Sequence, residues 1–151
     1  MSLIFSYKLW PSPRPVTPLR GRWVRPRPVV SVTLVGPKAS RVQPALLDTG
    51  ADDCVFPESV AAQIGIDLTS APVGNATGVG AGPIAVRYAQ VALRLTDGRE
   101  FREWQGWAGF TAARLTVSLL GFAGCLQFFG AFFHGDREEV ELTVNSLYPG
   151  T

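Results

Sequence analysis

Cysteine and histidine are scarce in this sequence, which limits the chemistry it can support. Its 151 residues include two cysteines, Cys54 and Cys125, and one histidine, His134. Both cysteines lie among apolar neighbours and form no Cys-x-x-Cys or Cys/His cluster, so we expect buried free thiols rather than a bridge or a zinc site. His134 lies in a turn signal beside Asp136, which leaves no histidine for Ser/His/Asp or Cys/His catalysis. The sequence therefore predicts no metal and no cofactor.

Long hydrophobic runs and a strong charge of either sign are also missing. Lys8 and Pro11 interrupt the apolar N-terminal stretch before the core of a signal peptide is complete. No other stretch approaches the roughly 18 apolar residues of a membrane span. The net charge is only +2, from 14 basic and 12 acidic residues. We therefore expect a soluble, cytoplasmic protein with no membrane partner and no nucleic-acid partner.

Glycine and proline, in contrast, are abundant and indicate the fold class. The chain has 16 Gly and 12 Pro, and 46% of its residues are hydrophobic, which is typical of short strands joined by many turns. We predict one all-β domain at residues 29–147, preceded by an extended Pro/Arg-rich arm at residues 1–28 and followed by a tail at residues 148–151. The arm carries six basic and no acidic residues, namely Lys8, Arg14, Arg20, Arg22, Arg25 and Arg27.

Alternating apolar positions indicate where the strands lie, and turn residues join them into hairpins. The predicted strands lie at about 30–34, 41–47, 91–95, 101–107, 115–120, 129–133 and 140–144. Asp97-Gly98 turns one hairpin, and the glycine-rich run at 74–82 predicts the tip of another because no helix or Gly-Lys-Ser/Thr follows it. Pro57 and Gly65 bound a predicted helix of about two turns.

One segment, from Ala45 to Asp53, concentrates the chemistry. Its apolar residues lead Asp48 into the turn Thr49-Gly50, so a carboxylate is held at the end of a buried strand on backbone that glycine readily permits. Because residues for nucleophilic and metal-assisted catalysis are lacking, a carboxylate mechanism remains. Two carboxyl groups close together cannot both ionise readily, so one can donate a proton while the other accepts one.

The motif and its flanks resemble the retropepsins, the aspartic proteases of the retroviral type. The resemblance rests on Asp48-Thr49-Gly50-Ala51 with Leu46 and Leu47 before it, and on the later Leu119-Leu120-Gly121. It spans about residues 29–145 and implies an aspartic endopeptidase that hydrolyses extended polypeptide segments.

The resemblance also implies an architecture. A closed β-barrel of the acid-protease lobe type is expected, with a flap hairpin tipped by residues 78–82 and one or two short helices. One helix would follow Leu119-Leu120-Gly121, at about 122–128. The other is the helix predicted at 57–65, and it favours the cellular and bacterial branch of the family.

Site roles follow residue by residue from the same resemblance. Asp48 would be catalytic, Thr49 would hydrogen-bond across a dimer axis, and Gly50 would bring backbone close to substrate. The implied substrate-binding positions are Ala51, Asp52 and Asp53 on the floor and Val79 and Gly80 on the covering flap. Because the chain holds one Asp-Thr-Gly and no internal repeat, the resemblance implies a homodimer in which each Asp48 supplies one carboxyl group.

One position departs from the family pattern and keeps alternatives open. Phe122 stands where retroviral enzymes have an arginine that pairs with the aspartate corresponding to Asp52. A non-catalytic retropepsin-like module that dimerises and binds peptides is therefore an alternative. A small β-barrel whose basic arm binds nucleic acid is a third, but it leaves the Asp48 motif unexplained.

Overall fold

The computed structural model describes residues 1–78 and 81–150, and strands make up most of this part of the chain. The strands are β1 (Leu3–Ser6), β2 (Lys8–Val16), β3 (Arg22–Arg27), β4 (Val29–Val35), β5 (Ser40–Leu47), β6 (Val55–Pro57), β7 (Val73–Gly78), β8 (Ala81–Thr96), β9 (Phe101–Thr111), β10 (Ser118–Leu120), β11 (Phe129–His134) and β12 (Glu139–Val144). One α-helix, α1 (Glu58–Ile64), follows β6, and single 3-10 turns lie at Thr17–Leu19 and Leu126–Phe128. The predicted all-β class is confirmed.

Seven strands form the main sheet, in the order β4-β5-β10-β6-β9-β8-β7. Because β4 also pairs with β8, six of these strands form a continuous ring of pairings. The seventh strand, β7, pairs with β8 and is not part of the ring. A three-stranded sheet has the order β1-β12-β11, and β2 with β3 forms a separate pair. Within the ring β5 and β10 run parallel. Parallel strands end at the same edge of a sheet, so the residues that follow both of them meet there.

The core is built from alternate residues of these strands, as the sequence pattern predicts. Strand β9 contributes Trp104 and Phe110, which are buried, whereas Trp107 is 50% exposed. The Trp104 indole N–H donates to the carbonyl oxygen of Gly124 at 2.7 Å, so its polar atom is satisfied inside the core. Strands β6 and β11 contribute Phe56 and Phe129, and β4 and β8 contribute buried aliphatic side chains, among them Val30, Val32, Leu34, Val91, Leu93 and Leu95.

Most local predictions are confirmed. The strand pairs β4–β5, β8–β9 and β11–β12 are the antiparallel hairpins expected. Helix α1 ends at Gly65, whose φ of 88° is left-handed, so glycine suits this cap. Cys54 and Cys125 are buried free thiols. His134 is an exception, because it ends β11 and its ring stacks on Phe132 at 4.2 Å instead of lying in a solvated turn.

The helix expected at 122–128 is wrong except for its last residues. A 3-10 turn covers Leu126–Phe128, and the residues before it are not helical. Gly124 has a φ of 93° and donates its N–H to the side-chain amide oxygen of Gln127 at 2.7 Å, while Cys125 has a φ of −141°. A left-handed residue followed by one whose φ is also outside the helical range interrupts the chain of helical hydrogen bonds.

The arm at residues 1–28 is more ordered than predicted. Residues 3–6 form β1, which pairs with β12, and Leu3 is fully buried there. Strands β2 and β3 form an antiparallel hairpin, and Arg22 pairs with Glu138 at 2.6 Å. Proline fits these strands because a two-stranded sheet leaves one edge of each strand without ladder bonds. The domain boundaries given above stay predictions. No helix among the described residues is long and apolar enough to cross a membrane.

A buried carboxylate at the β8–β9 turn yields a stability prediction. The Asp97 side chain is 1% exposed and accepts N–H groups of Ile4, Arg99 and Glu100 at 2.9 to 3.1 Å. These hydrogen bonds, with Arg99, hold the pKa of Asp97 far below its ordinary value despite burial. A carboxyl group whose pKa is lower in the folded state stabilises the protein at pH values above its unfolded-state pKa, which is near 4. That stabilisation is lost as the pH falls towards the folded-state pKa.

We therefore expect Asp97→Asn to lower the free energy of unfolding by roughly 1 to 2 kcal/mol at pH 7 and to flatten its decline below about pH 4. Urea titrations monitored by tryptophan fluorescence from pH 7 to pH 2 measure both effects. Asp136→Asn, in the exposed β11–β12 turn, is the control. If the free energy of unfolding fell as steeply below about pH 4 in Asp97→Asn as in the unsubstituted protein, Asp97 would not be the source of the pH dependence.

Candidate active site

Asp48 lies where β5 ends beside its parallel neighbour β10. Leu46 and Leu47 pair with Leu119 and Leu120, and the Asp48 N–H donates to the carbonyl oxygen of Leu120 at 3.1 Å. Leu47 and Leu120 are buried, whereas Asp48 itself is half-buried. The two Leu-Leu pairs, which the sequence shows only as separate motifs, are thus one piece of sheet that supports the carboxylate.

The turn after Asp48 orients its side chain. Asp48 Oδ1 accepts the N–H of Gly50 at 2.9 Å, and the N–H of Ala51 donates to the Asp48 carbonyl oxygen at 3.1 Å. Thr49 and Gly50 are exposed. When an aspartate side chain accepts the backbone N–H two residues later, the chain forms a compact turn. One carboxylate oxygen is then held by that hydrogen bond and the other stays available. The predicted catalytic residue therefore lies at the surface of the chain, in a turn closed by these two hydrogen bonds.

The segment Gly121–Ala123 lies directly beneath the loop that carries the predicted floor residues. The N–H of Phe122 donates to Ala51 O at 3.0 Å, and the N–H of Ala123 donates to Asp52 O at 2.8 Å. Asp53 and Ala123 form a parallel bridge. A Cβ on Gly121 would overlap the carbonyl oxygens of Ala51 and Asp53, so only glycine fits at this crossing. This contact explains why Leu119-Leu120 is followed by glycine.

The departure at Phe122 leaves the loop carboxylates without a cation. The Phe122 side chain is 60% exposed. Among the described residues no lysine, arginine or histidine lies within ion-pair distance of Asp52 or Asp53. The arginine pair of the viral enzymes is therefore absent here and is not replaced from another position in this part of the chain.

A narrow cleft separates this loop from strand β7. Its lining consists of Ala51, Asp52, Asp53, Val55, Leu119, Asn75 and Ala76. The structure therefore brings the predicted floor residues together and places the middle of β7, at Asn75 and Ala76, opposite them. The pairing of β7 with β8 continues to Gly78 and Ala81, which confirms the predicted hairpin. Val79 and Gly80, the predicted covering residues, lie outside the described residues.

Tyr88 is a neighbour of this cleft that sequence patterns did not single out. Its hydroxyl donates to Asp53 Oδ2 at 2.9 Å. Burial raises the pKa of the Tyr88 phenol, and the carboxylates of Asp53 and Asp52 raise it further. The two residues are 35 positions apart and belong to different elements, so no local signal in the sequence connects them.

The thiols behind the loop offer no competing chemistry. Cys54 Sγ donates to Ala123 O at 3.4 Å. A hydrogen bond with Cys54 and burial raise the pKa of the Cys125 thiol, which disfavours the reactive thiolate. Within the described residues no group of three or more His, Cys, Asp or Glu side chains could hold a metal ion. The arrangement presents one oriented carboxylate per chain beside an acidic cleft.

Comparisons with known proteins agree with this arrangement. The sequence model of a family described as aspartyl protease matches residues 30–105, half of the chain. The structure is similar to that of a retropepsin-like aspartic protease from Rickettsia conorii, with a TM-score of 0.59 and 16% sequence identity over 94% of this chain and 89% of that chain. A search of curated proteins found no significant match. The structural similarity confirms the retropepsin-like fold predicted from the motif.

Proposed function

The chain belongs to the aspartyl protease family, and on that premise we propose that it is an aspartic endopeptidase that acts as a homodimer on extended polypeptides. The observation that supports this function most directly is the Asp48 turn. A carboxylate held by the Gly50 N–H at 2.9 Å, at the surface of the protomer and beside a cleft, is suited to meet a second copy of itself.

Two Asp48 carboxyl groups facing each other across a two-fold axis would share one proton, because like charges at short distance cannot both ionise readily. The ionised carboxylate takes a proton from a water molecule as the water oxygen attacks the peptide carbonyl carbon. The protonated carboxyl gives its proton to the carbonyl oxygen, forming a tetrahedral diol. Collapse of the diol breaks the C–N bond as the nitrogen takes a proton from one carboxyl, and a diol hydroxyl returns a proton to the other.

The remaining site residues would position the substrate. Thr49 would hydrogen-bond across the axis beneath the two carboxyl groups. Ala51, Asp52 and Asp53 would form the floor on which an extended peptide lies as an added strand, bound through its backbone. Val79 and Gly80 would cover it from the flap. We keep residues 29–147 as the protease domain, with the basic arm and tail outside it.

A dependence of activity on protein concentration tests the shared site. Specific activity against an unstructured protein at about pH 3 to 7 should rise with enzyme concentration and then level off, because a lone protomer supplies one carboxyl. The midpoint should match the dimer dissociation constant from analytical ultracentrifugation. Specific activity that stays constant while the protein dissociates to monomer would refute a site built from two chains.

One observation favours a second function, a non-catalytic module that dimerises and binds peptides. Asp52 has no cationic partner among the described residues, so the loop lacks a contact that supports it in viral enzymes. The same samples discriminate the two functions. A folded dimer that binds peptides at every pH tested but hydrolyses none of them would support the module.

A further inference from the structure

The β2–β3 hairpin concentrates positive charge at one place in the fold. Residues 8–27 include six basic and no acidic residues, whereas the whole chain has a net charge of only +2, so the rest of the chain is net acidic. The two strands form a sheet of their own, separate from the other two sheets. Of the six cations only Arg22 has an acidic partner among the described residues, namely Glu138. The hairpin therefore presents uncompensated positive charge.

Aromatic rings and cations share one face of this hairpin. Lys8 pairs with Arg27 and Trp10 pairs with Arg25, and residues directly opposite each other in an antiparallel pair project to the same face. The guanidinium carbon of Arg27 lies 4.6 Å from the centroid of the Trp10 ring, as a shared face requires. Strand alternation places Trp23, which is 60% exposed, on the side of Arg25 and Arg27. We call these five residues the cation–aromatic face.

A cavity lies beside this face, between the hairpin and the β11–β12 turn. Its volume is about 360 Å³, and Tyr7, Arg25 and Arg27 are among its lining residues. Glu138 also lines it, but the Glu138 carboxylate accepts two hydrogen bonds from Arg22, at 2.6 and 3.3 Å. Arg27 Nε is buried and has no hydrogen-bond partner among the described residues. Buried donors without a partner are rare in proteins, and an anionic oxygen bound beside Arg27 would satisfy this one.

The arrangement of rings and cations distinguishes between the possible polyanions. A segment that lies on a membrane surface has its cations and its large apolar side chains on opposite faces. An acidic polypeptide offers carboxylates but no bases that stack on an exposed indole. Single-stranded nucleic acid is bound by rings and cations together, because the bases stack on the rings while the phosphates meet the cations. The shared face of the hairpin matches the last of these.

We propose that the cation–aromatic face binds single-stranded nucleic acid. A base stacks on Trp23, and phosphates contact Lys8, Arg25 and Arg27, with one phosphate oxygen accepting the Nε hydrogen of Arg27. The Trp10 ring holds the Arg27 guanidinium in place from the other side. This binding site is additional to the proposed protease site and uses different elements of the fold. The small net charge predicts no nucleic-acid partner only when it is averaged over the chain, whereas the fold collects the cations on one hairpin.

Fluorescence anisotropy of a labelled oligodeoxyuridylate of about a dozen nucleotides tests the proposal on the full chain. Three phosphate contacts predict that log Kd rises with log salt with a slope of about 2, so Kd should rise roughly fifteenfold between about 50 and about 200 mM salt. The oligouridylate of the same length should also bind, because DNA and RNA share the phosphates and base faces. Binding of only one of them still supports the face and identifies the sugar that it accepts.

Substitutions on the face should have separable effects. Arg25→Gln should weaken binding by about fivefold or more and lower the salt slope by about 0.7, because one phosphate contact is lost. Trp23→Ala should weaken binding by a similar factor and leave the salt slope unchanged, because stacking releases no counterions. Both side chains are exposed, so the fold should tolerate their loss.

Arg114→Gln and Trp107→Ala are the matched controls. Each removes the same type of exposed side chain at a position outside the hairpin, so neither should change Kd by more than about twofold. Asp48→Asn should also bind normally, which separates this site from the proteolytic one. The proposal is overturned if no oligonucleotide binds at low salt, or if the controls weaken binding as much as the hairpin variants. Polyglutamate or phosphatidylglycerol vesicles that compete equally well at equal charge would overturn it too.

Discussion

Replacing Asp48 by Asn should lower kcat/KM for any peptide substrate by at least roughly a thousandfold, while leaving the fold intact. Asparagine keeps an oxygen that can accept the Gly50 N–H, so the turn at the end of β5 is preserved. It cannot exchange a proton with water or with the peptide carbonyl. Circular dichroism and denaturation curves should match those of the unsubstituted protein, and hydrolysis rates give the loss.

Asp67→Asn is a matched control for this substitution. Asp67 Oδ1 also accepts a backbone N–H two residues on, that of Thr69 at 2.9 Å, but it lies near the end of α1 and away from the loop. Activity should be unchanged in that variant. Adding excess folded Asp48→Asn chains to the unsubstituted protein should also lower activity, because mixed dimers carry one competent carboxyl. Activity retained in Asp48→Asn would exclude the carboxylate mechanism.

Replacing Gly121 by Ala should destabilise the protein by about 3 kcal/mol or more. The added Cβ would overlap the carbonyl oxygens of Ala51 and Asp53, so the loop and the segment beneath it must separate. That movement would strain the bonds from Phe122 to Ala51 and from Ala123 to Asp52. Urea unfolding measures the stability, and kcat/KM should fall more than the folded fraction, because the displaced segment supports the floor.

Gly135→Ala provides the matched comparison for that result. A Cβ at Gly135 meets nothing within 4 Å, and its backbone is not left-handed, so the substitution should change stability by less than about 0.5 kcal/mol. If Gly121→Ala were equally well tolerated, the loop would not depend on this crossing, and the glycine after Leu119-Leu120 would need another explanation.

Local chemistry accounts for the elements that were predicted correctly. In β4 and in β8, the alternation of apolar residues determines which face of the strand is buried. Asp97-Gly98 determines the turn between β8 and β9. Pro57 and Gly65 bound α1 in the same way. Each depends on residues close in sequence, so the pattern alone is sufficient.

The predictions were less accurate for segments whose conformation depends on contacts with residues that are distant in sequence. The helix expected at 122–128 came from the family resemblance, but the backbone of this segment is bound to the loop from Ala51 to Asp53, and Gly124 is left-handed. The proline-rich arm has few donors for a sheet, yet β1 finds β12 and Arg22 finds Glu138 more than a hundred residues away. Contacts over such separations leave no periodic signal.

The features of the candidate site divide in the same way, into those that depend on neighbouring residues and those that depend on distant ones. The sequence by itself determined that Asp48 stands at the end of a strand in a Thr-Gly turn, because that depends on nine consecutive residues. Only Ala45 and Leu47 of that strand are buried, so the buried strand expected there is half-exposed. Only the tertiary structure decided that Gly121 supports the loop, that Phe122 leaves Asp52 without a cation, and that Tyr88 holds Asp53. The physical reason is that a site's chemistry needs local backbone geometry, whereas its support and charge balance come from whatever the fold packs against it.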